Sequence, residues 1–331
     1  MTTLNESIAF DPNPDKVYTL PESGSWQEER HVFEMETVWA IKAALACGRP
    51  LLIRGEPGTG KSQLARAAAK VLDLPFHYFV VNARCEPEDL LFRFDAVSRL
   101  SDAQIAGASS GSVDLDAANY VNPGILWWAF DPASAQLQLG RCERSSSDSL
   151  LGSEQWTNTQ EDLTRGCVVL IDEIDKADSD VPNSLLEALG NGGFKAPFGG
   201  STISIPKGAI KPLVVITTNE ERELPLAFLR RCVVLQLTLP KQESALRSVL
   251  SRHARAHFDD SEISNAVLEV SLDQFIQDRA LQIGSQSRSY PGQAEFLDLL
   301  RALNELKKGN EEAQLEALER ISHFMLRKNP E

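Results

Sequence analysis

Eight consecutive residues, Gly55-Glu56-Pro57-Gly58-Thr59-Gly60-Lys61-Ser62, constrain this chain more than any other segment. They fit the spacing G-x-x-x-x-G-K-[ST] without a mismatch. Glycines so placed let the backbone turn until several N–H groups converge on one anion. The lysine that closes the turn reaches terminal phosphates, and the hydroxyl after it ligates Mg²⁺. The flanks agree with this reading. Pro50 to Ile53 is a short apolar run that reads as a buried strand, and Gln63 to Leu72 carries strong helix formers at helical spacing. Strand, tight loop and helix N-terminus form the arrangement in which a helix dipole favours a phosphate. Gly55, Glu56, Pro57, Gly58, Thr59, Gly60, Lys61, Ser62 and Gln63 are the expected contacts of a nucleoside triphosphate, with Ser62 also a metal ligand.

At 331 residues the chain exceeds one typical compact core, so two domains are expected. Hydrophobic residues at 42% and charged residues at 24% are ordinary globular values, which leave disordered and fibrous classes aside. A net charge of −14 argues against a dedicated nucleic-acid binder, whose field is usually basic. No apolar run reaches 18 residues, and the N-terminus lacks a basic and an apolar signal region; neither a membrane span nor a secretory leader is expected. The five cysteines (Cys47, Cys85, Cys142, Cys167, Cys232) are scattered and never in C-x-x-C spacing, which suits inert thiols in a reducing, cytoplasmic setting. His253 and His257 stand four apart on a predicted helix without an intervening glutamate and are read as lying on a polar face. No metal beyond Mg²⁺ is implied.

Along the chain, residues 1–30 read as an extended N-terminal arm, and His31 to Cys47 as a helix. Leu74 to Asn82 is a second strand. An insert follows at about 85–140, with a flexible centre at Gly107 to Ser112, and then a Ser-rich acidic segment at about 141–162 read as a mobile loop. Cys167 to Ile171, Leu213 to Thr217 and Val233 to Leu239 are continuous apolar runs of the kind that suit parallel strands buried on both faces. Val181 to Leu189 is a helix, and Phe194 to Ile205, around Pro197-Phe198-Gly199-Gly200, a hairpin. From Lys241 the pattern is helical. The expected division is an α/β nucleotide-binding domain at 31–240 and a helical lid domain at 241–331. Trp127, Trp128 and Phe130 either pack inside the insert or form an aromatic contact surface, with packing the favoured reading.

Two more strand ends carry chemistry. Leu170-Ile171-Asp172-Glu173 closes an apolar strand with two carboxylates. Asp172 can hold Mg²⁺ through its water shell, and Glu173 can polarise a water for attack on phosphorus. Val215-Ile216-Thr217-Thr218-Asn219 closes a third strand with an amide, which a parallel sheet delivers to the same carboxyl edge. There Asn219 can orient the attacking water.

GEPGTGKS, VVLIDEID and VVITTNEERELP, in this order and ahead of FLRRCV, resemble Walker A, Walker B, sensor 1 and the arginine-finger region of AAA+ ATPases. The insert and the hairpin resemble the helix-2 insert and presensor-1 hairpin of the MoxR group. DLLFRFDAVSRLSDAQ and NPGILWWAFDP look like a branch found in bacterial multi-gene and conflict systems. The resemblance implies an α/β P-loop NTPase fold: a parallel five-stranded sheet flanked by helices, with a smaller C-terminal all-helical lid. It implies ATP and Mg²⁺ as cofactors, Lys61 and Ser62 on phosphate and metal, Asp172 on the metal, Glu173 as base and Asn219 as sensor 1. Arg231 falls where the family places a finger that reaches the γ-phosphate of a neighbouring copy, and Arg230 beside it shares or replaces that role. Where many relatives open the third lid helix with an arginine, this chain has Gln293; either Arg288, in the preceding loop, substitutes for it or no residue does. The implied partners are other copies in a ring, a hexamer by analogy, and a protein substrate or effector encoded separately, with neither membrane nor nucleic acid expected.

The leading reading is an Mg²⁺-dependent ATPase that remodels or activates a partner protein. The alternative is a nucleotide-dependent switch or scaffold that recruits an effector. A nucleic-acid motor is disfavoured by the acidic balance, and a GTPase by the lack of N-K-x-D.

Overall fold

The computed structural model describes residues 10–22, 26–108, 114–142, 166–284 and 290–327. The Ser-rich segment after Cys142, the centre of the insert and Arg288 lie outside the described residues. The chain begins with two short strands, β1 (Tyr18–Leu20) and β2 (Glu29–His31). After α1 (Met35–Cys47), β3 (Leu51–Arg54), α2 (Lys61–Leu72) and β4 (Phe76–Val80) come the insert elements β5 (Phe92–Phe94), α3 (Ala96–Ala108), β6 (Val121–Pro123), α4 (Ile125–Phe130) and α5 (Pro132–Arg141). Then follow β7 (Val168–Asp172), α6 (Asp180–Asn191), β8 (Gly193–Lys195), β9 (Thr202–Ser204), β10 (Leu213–Thr218), α7 (Leu226–Leu229) and β11 (Val233–Gln236). Four helices end the chain: α8 (Glu243–His257), α9 (Asn265–Gly284), α10 (Gln293–Leu306) and α11 (Glu311–Leu326).

The chain divides into two compact units. The first comprises the described residues of Met1–Asp11, Glu36–Arg54 and Ala65–Leu235. Its centre is a five-stranded parallel sheet in the order β11-β3-β10-β7-β4. The apolar runs become strands because both faces are covered: every residue of β10 is buried, as are the first four of β7 and the first three of β3. In the insert, β5 pairs antiparallel with β6, and β8 with β9 closes the expected hairpin. Trp127, Trp128 and Phe130 are buried. Trp127 meets the hairpin's Phe194 edge-on at 5.8 Å and donates its indole N–H to Ser134 Oγ at 2.8 Å. These aromatics are core, since burial of ring area with a satisfied N–H stabilises more than solvent exposure would.

The second unit comprises the described residues of Pro12–Met35, Gly55–Leu64 and Gln236–Glu331. Its core is helical, with Phe275 meeting Phe296 at 5.3 Å among leucines of α8 to α11. Two sequence expectations change here. The helix expected from His31 begins only at Met35, because His31 closes a strand that pairs with Tyr18–Leu20 and Phe33 is buried against Tyr18 and His31, which overrides local helical spacing. His253 and His257 are turned inward toward the N-terminal segment rather than set on a polar face.

The inward face explains the charge state of these rings. Burial lowers His31 to about 3, with the neighbouring rings of His253 and His257 adding to the effect. Burial likewise lowers His253 and His257 to about 4, each with help from nearby arginine charge. Glu34, 3.6 Å from His253, and Glu29, 3.9 Å from His257, oppose this without reversing it. The unfolded chain protonates these rings as pH falls through 6.5, while the folded chain does not. Stability is therefore full above that value and declines below it, by up to about 1.4 kcal/mol per pH unit for each ring. The urea midpoint is expected to fall between pH 7.5 and pH 5, and His31→Gln to flatten that slope; an equal slope in the variant excludes this cause.

Candidate active site

In the second unit, the chain turns through Gly55, Gly58 and Gly60 at φ of 149°, 73° and 83°. A side chain at Gly55 would place Cβ 2.1 Å from Leu237 O, so no other residue fits there. The turn is closed by Leu64 N–H donating to Gly60 O at 3.0 Å and by Thr59 Oγ1 donating to Glu56 O at 2.9 Å. Lys61 is buried, and its ammonium donates to Gly55 O at 2.9 Å and Glu56 O at 2.7 Å. Ser62 and Gln63 follow in the first turn of α2. Positive-φ glycines, an ammonium and a hydroxyl at a helix start are a donor set that fits a Mg²⁺–polyphosphate.

In the first unit, β7 and β10 end together. Asp172 closes β7, and Thr217 beside it donates to Asp172 Oδ1 at 2.5 Å while accepting from Glu173 N–H at 2.9 Å. Glu173 is left-handed, with φ 59° and ψ 47°, a conformation that costs a non-glycine residue roughly 1–2 kcal/mol. Its carboxylate accepts from Asn219 Nδ2 at 3.3 Å and pairs with Lys176 at 3.0 Å, which raises the lysine. Asp175, 2% exposed, accepts from Glu221 N–H at 2.9 Å and from Asn219 N–H at 3.4 Å, holding the chain beyond β10 in place. The structure brings Asp172, Glu173 and Asn219 together, as the sequence leads one to expect.

Arg231 lies at the other edge of the same sheet. Two residues later, Val233 N–H donates to Pro50 O at 2.8 Å, so β11 begins where β3 begins. Arg231 lines a cleft of about 330 Å³ together with Arg49, Pro50 and Lys211, the residues that precede β3 and β10. The six residues of β10 set that edge roughly 17 Å from Thr218. Leu186, Phe228 and Cys232 form an apolar wall, and among the described residues no carboxylate lines the cleft. Burial pushes the Cys232 thiol up to about 12. Arg230, the C-cap of α7, is exposed and is not among the lining residues.

Phosphate-loop and carboxylate strand ends of this kind, on a parallel α/β sheet with C-terminal helices, define an ATPase of the AAA+ fold. Residues 50–253 match the AAA domain family, dynein-related subfamily, and the chain belongs to that family. Comparison with curated proteins gives no match. Among solved structures, one variant of Thermotoga maritima RuvB shows 16% identity and a TM-score of 0.42, covering 86% of this chain and 67% of that one. A second RuvB variant from the same organism shows 18% identity and a TM-score of 0.43 over 87% and 68%. Overlays this loose transfer nothing about function.

Thr217, Asp175, Lys176, Arg49 and Lys211 were not singled out from the sequence. Asp175 had a signal, the D-E-x-D spacing in IDEID. Thr217 had none, because a β-branched residue closing an apolar strand looks like a strand former. Thr217→Val removes a fully buried hydroxyl that serves both Asp172 and Glu173, and is expected to destabilise by about 1–3 kcal/mol. Thr217→Ser should recover much of the loss in urea unfolding; a valine variant as stable as wild type contradicts this role.

Proposed function

We propose that the chain is a MoxR-like ATPase whose sites are completed by a second copy, and that it couples hydrolysis to remodelling or activation of a separately encoded partner protein. Lys61 and the loop N–H groups bind the phosphates, with Ser62 and Asp172 as the Mg²⁺ ligands. The metal, when bound, neutralises phosphate charge. Glu173 takes the proton of the attacking water and Asn219 orients that water, giving ADP and phosphate. Release of Glu173 from Lys176 frees its carboxylate for that work.

The position of Arg231 carries the proposal. A finger at the amino edge of the sheet cannot serve the Asp172–Glu173–Asn219 cluster of its own chain, whereas a ring offers its cationic cleft to a neighbour's phosphates. The cleft favours Arg231 over Arg230 for this role. The insert and hairpin suit partner contact: Phe198, at the hairpin turn, is half-exposed and lies 4.8 Å from Phe94.

Lys61→Ala should abolish ATP binding, whereas Glu173→Gln should bind ATP without turnover. Arg231→Ala is expected to lose about 10³-fold or more in turnover. Mixed one to one, the Glu173→Gln and Arg231→Ala chains should recover roughly a quarter of wild-type activity, the share of random sites that pair an intact Glu173 with an intact neighbouring Arg231. A mixture no more active than its components rules out the shared site.

A further inference from the structure

Glu56, the second residue of the phosphate loop, is tied at both ends of its structure. Its carboxylate meets Arg279 Nη2 on α9 at 2.9 Å and accepts the Tyr290 hydroxyl at 2.5 Å. Arg279 is 7% exposed, its guanidinium stands over the Tyr290 ring at 4.5 Å, and its Nη1 donates to Pro291 O. The start of α10 adds two backbone contacts to the same loop. Ala294 N–H donates to Gly58 O at 2.9 Å, and a Cβ on Gly292 would lie 2.8 Å from Pro57 O. At its other end, the Glu56 carbonyl accepts from Lys61 Nζ at 2.7 Å and from Thr59 Oγ1 at 2.9 Å.

Nothing in the phosphate-binding pattern requires an acid at this position. A carboxylate in a loop that receives polyphosphate repels its ligand unless a cation neutralises it. Arg279 supplies that neutralisation from 223 residues away, in a buried bidentate-capable group that is costly to leave unpaired. The Glu56 hydrogen bond raises the Tyr290 phenol above its ordinary value, which keeps the hydroxyl a donor. Lys61 cannot both donate to the Gly55 and Glu56 carbonyls and solvate a terminal phosphate with the same protons.

We propose that Glu56 is a positioning residue that couples the phosphate loop to α9 and α10. Triphosphate draws the Lys61 ammonium off the Gly55 and Glu56 carbonyls, the peptide between those residues shifts, and the Glu56 carboxylate carries the shift to Arg279 and Tyr290. This rests on the reading that the loop binds ATP. The coupling acts through an ion pair and a phenol, so it responds to whether a γ-phosphate is present rather than to the base.

The test uses the full chain with Mg²⁺ and the non-hydrolysable analogue β,γ-imido-ATP, reading affinity by calorimetry and amide hydrogen exchange over residues 290–296. In the wild type the analogue should slow exchange of the Ala294 and Phe296 amides about fivefold or more. In Arg279→Met the analogue should still bind within about tenfold of wild-type affinity while the exchange response disappears, and Arg279→Lys should restore it in part. Tyr290→Phe, which removes one hydroxyl and leaves the ring, should weaken the response without abolishing it. A full response in folded Arg279→Met, or in both Tyr290→Phe and Glu56→Gln, overturns the coupling. A wild type that binds the analogue with no exchange response overturns the coupling and leaves the ATPase reading standing. A wild type that does not bind it overturns both.

Discussion

A parallel sheet has two chemically different edges, and the distribution of reactive groups in this chain follows from that polarity. The three central strands, β3, β7 and β10, are buried almost from end to end, so their interiors admit few polar atoms. Chemistry is confined to the strand ends. At the carboxyl edge the chain leaves each strand through a turn free to present a side chain, and there Asp172, Glu173 and Asn219 converge. At the amino edge the incoming segments before β3, β10 and β11 bring Arg49, Lys211 and Arg231 around one cleft. Acid and amide stand at one edge and the cations at the other, separated by about the length of β10.

Local strain marks the carboxyl edge. Glu173 takes a left-handed backbone that most residues avoid, and the fold holds it there through its N–H on Thr217 and its carboxylate on Asn219 and Lys176. Asp175 ties the chain after β10 to the same turn through two backbone N–H groups. These bonds are part-buried and join segments 44 to 46 residues apart, so the fold itself holds the Glu173 carboxylate beside Asn219.

Much of this was legible in the sequence, and the reasons differ by residue. The phosphate loop, the Asp172-Glu173 pair and the three apolar strands are local patterns, each carrying its own signal within about ten residues. The aromatic packing of Trp127 and Phe130 was legible as a preference, and became definite only with Phe194 beside them. What stayed hidden depends on distant pairing. Glu56 finds Arg279 and Tyr290 across 223 and 234 residues, and His253 faces a strand that begins near residue 29. Residues 31–34 read as the start of a helix because Val32, Met35 and Val38 have helical spacing; strand pairing through His31 delays that helix to Met35. No periodicity in a single sequence encodes such partners.

The amino-edge cleft is the sharper constraint on assembly. The chain carries 47 acidic and 33 basic side chains, so acids are plentiful and a cation normally finds one nearby. Arg247 alone pairs with Glu243, Glu269 and Asp273. Against that background Arg49, Lys211 and Arg231 face one cleft that, among the described residues, no carboxylate lines. Three exposed cations gathered beside an apolar wall repel one another, a cost that an anion entering the cleft would offset. The net charge of −14 makes two copies repel at long range, within the Debye length of about 8 Å at physiological salt. A cationic cleft on an acidic chain is a local exception to that repulsion, and an anionic face is what would complement it.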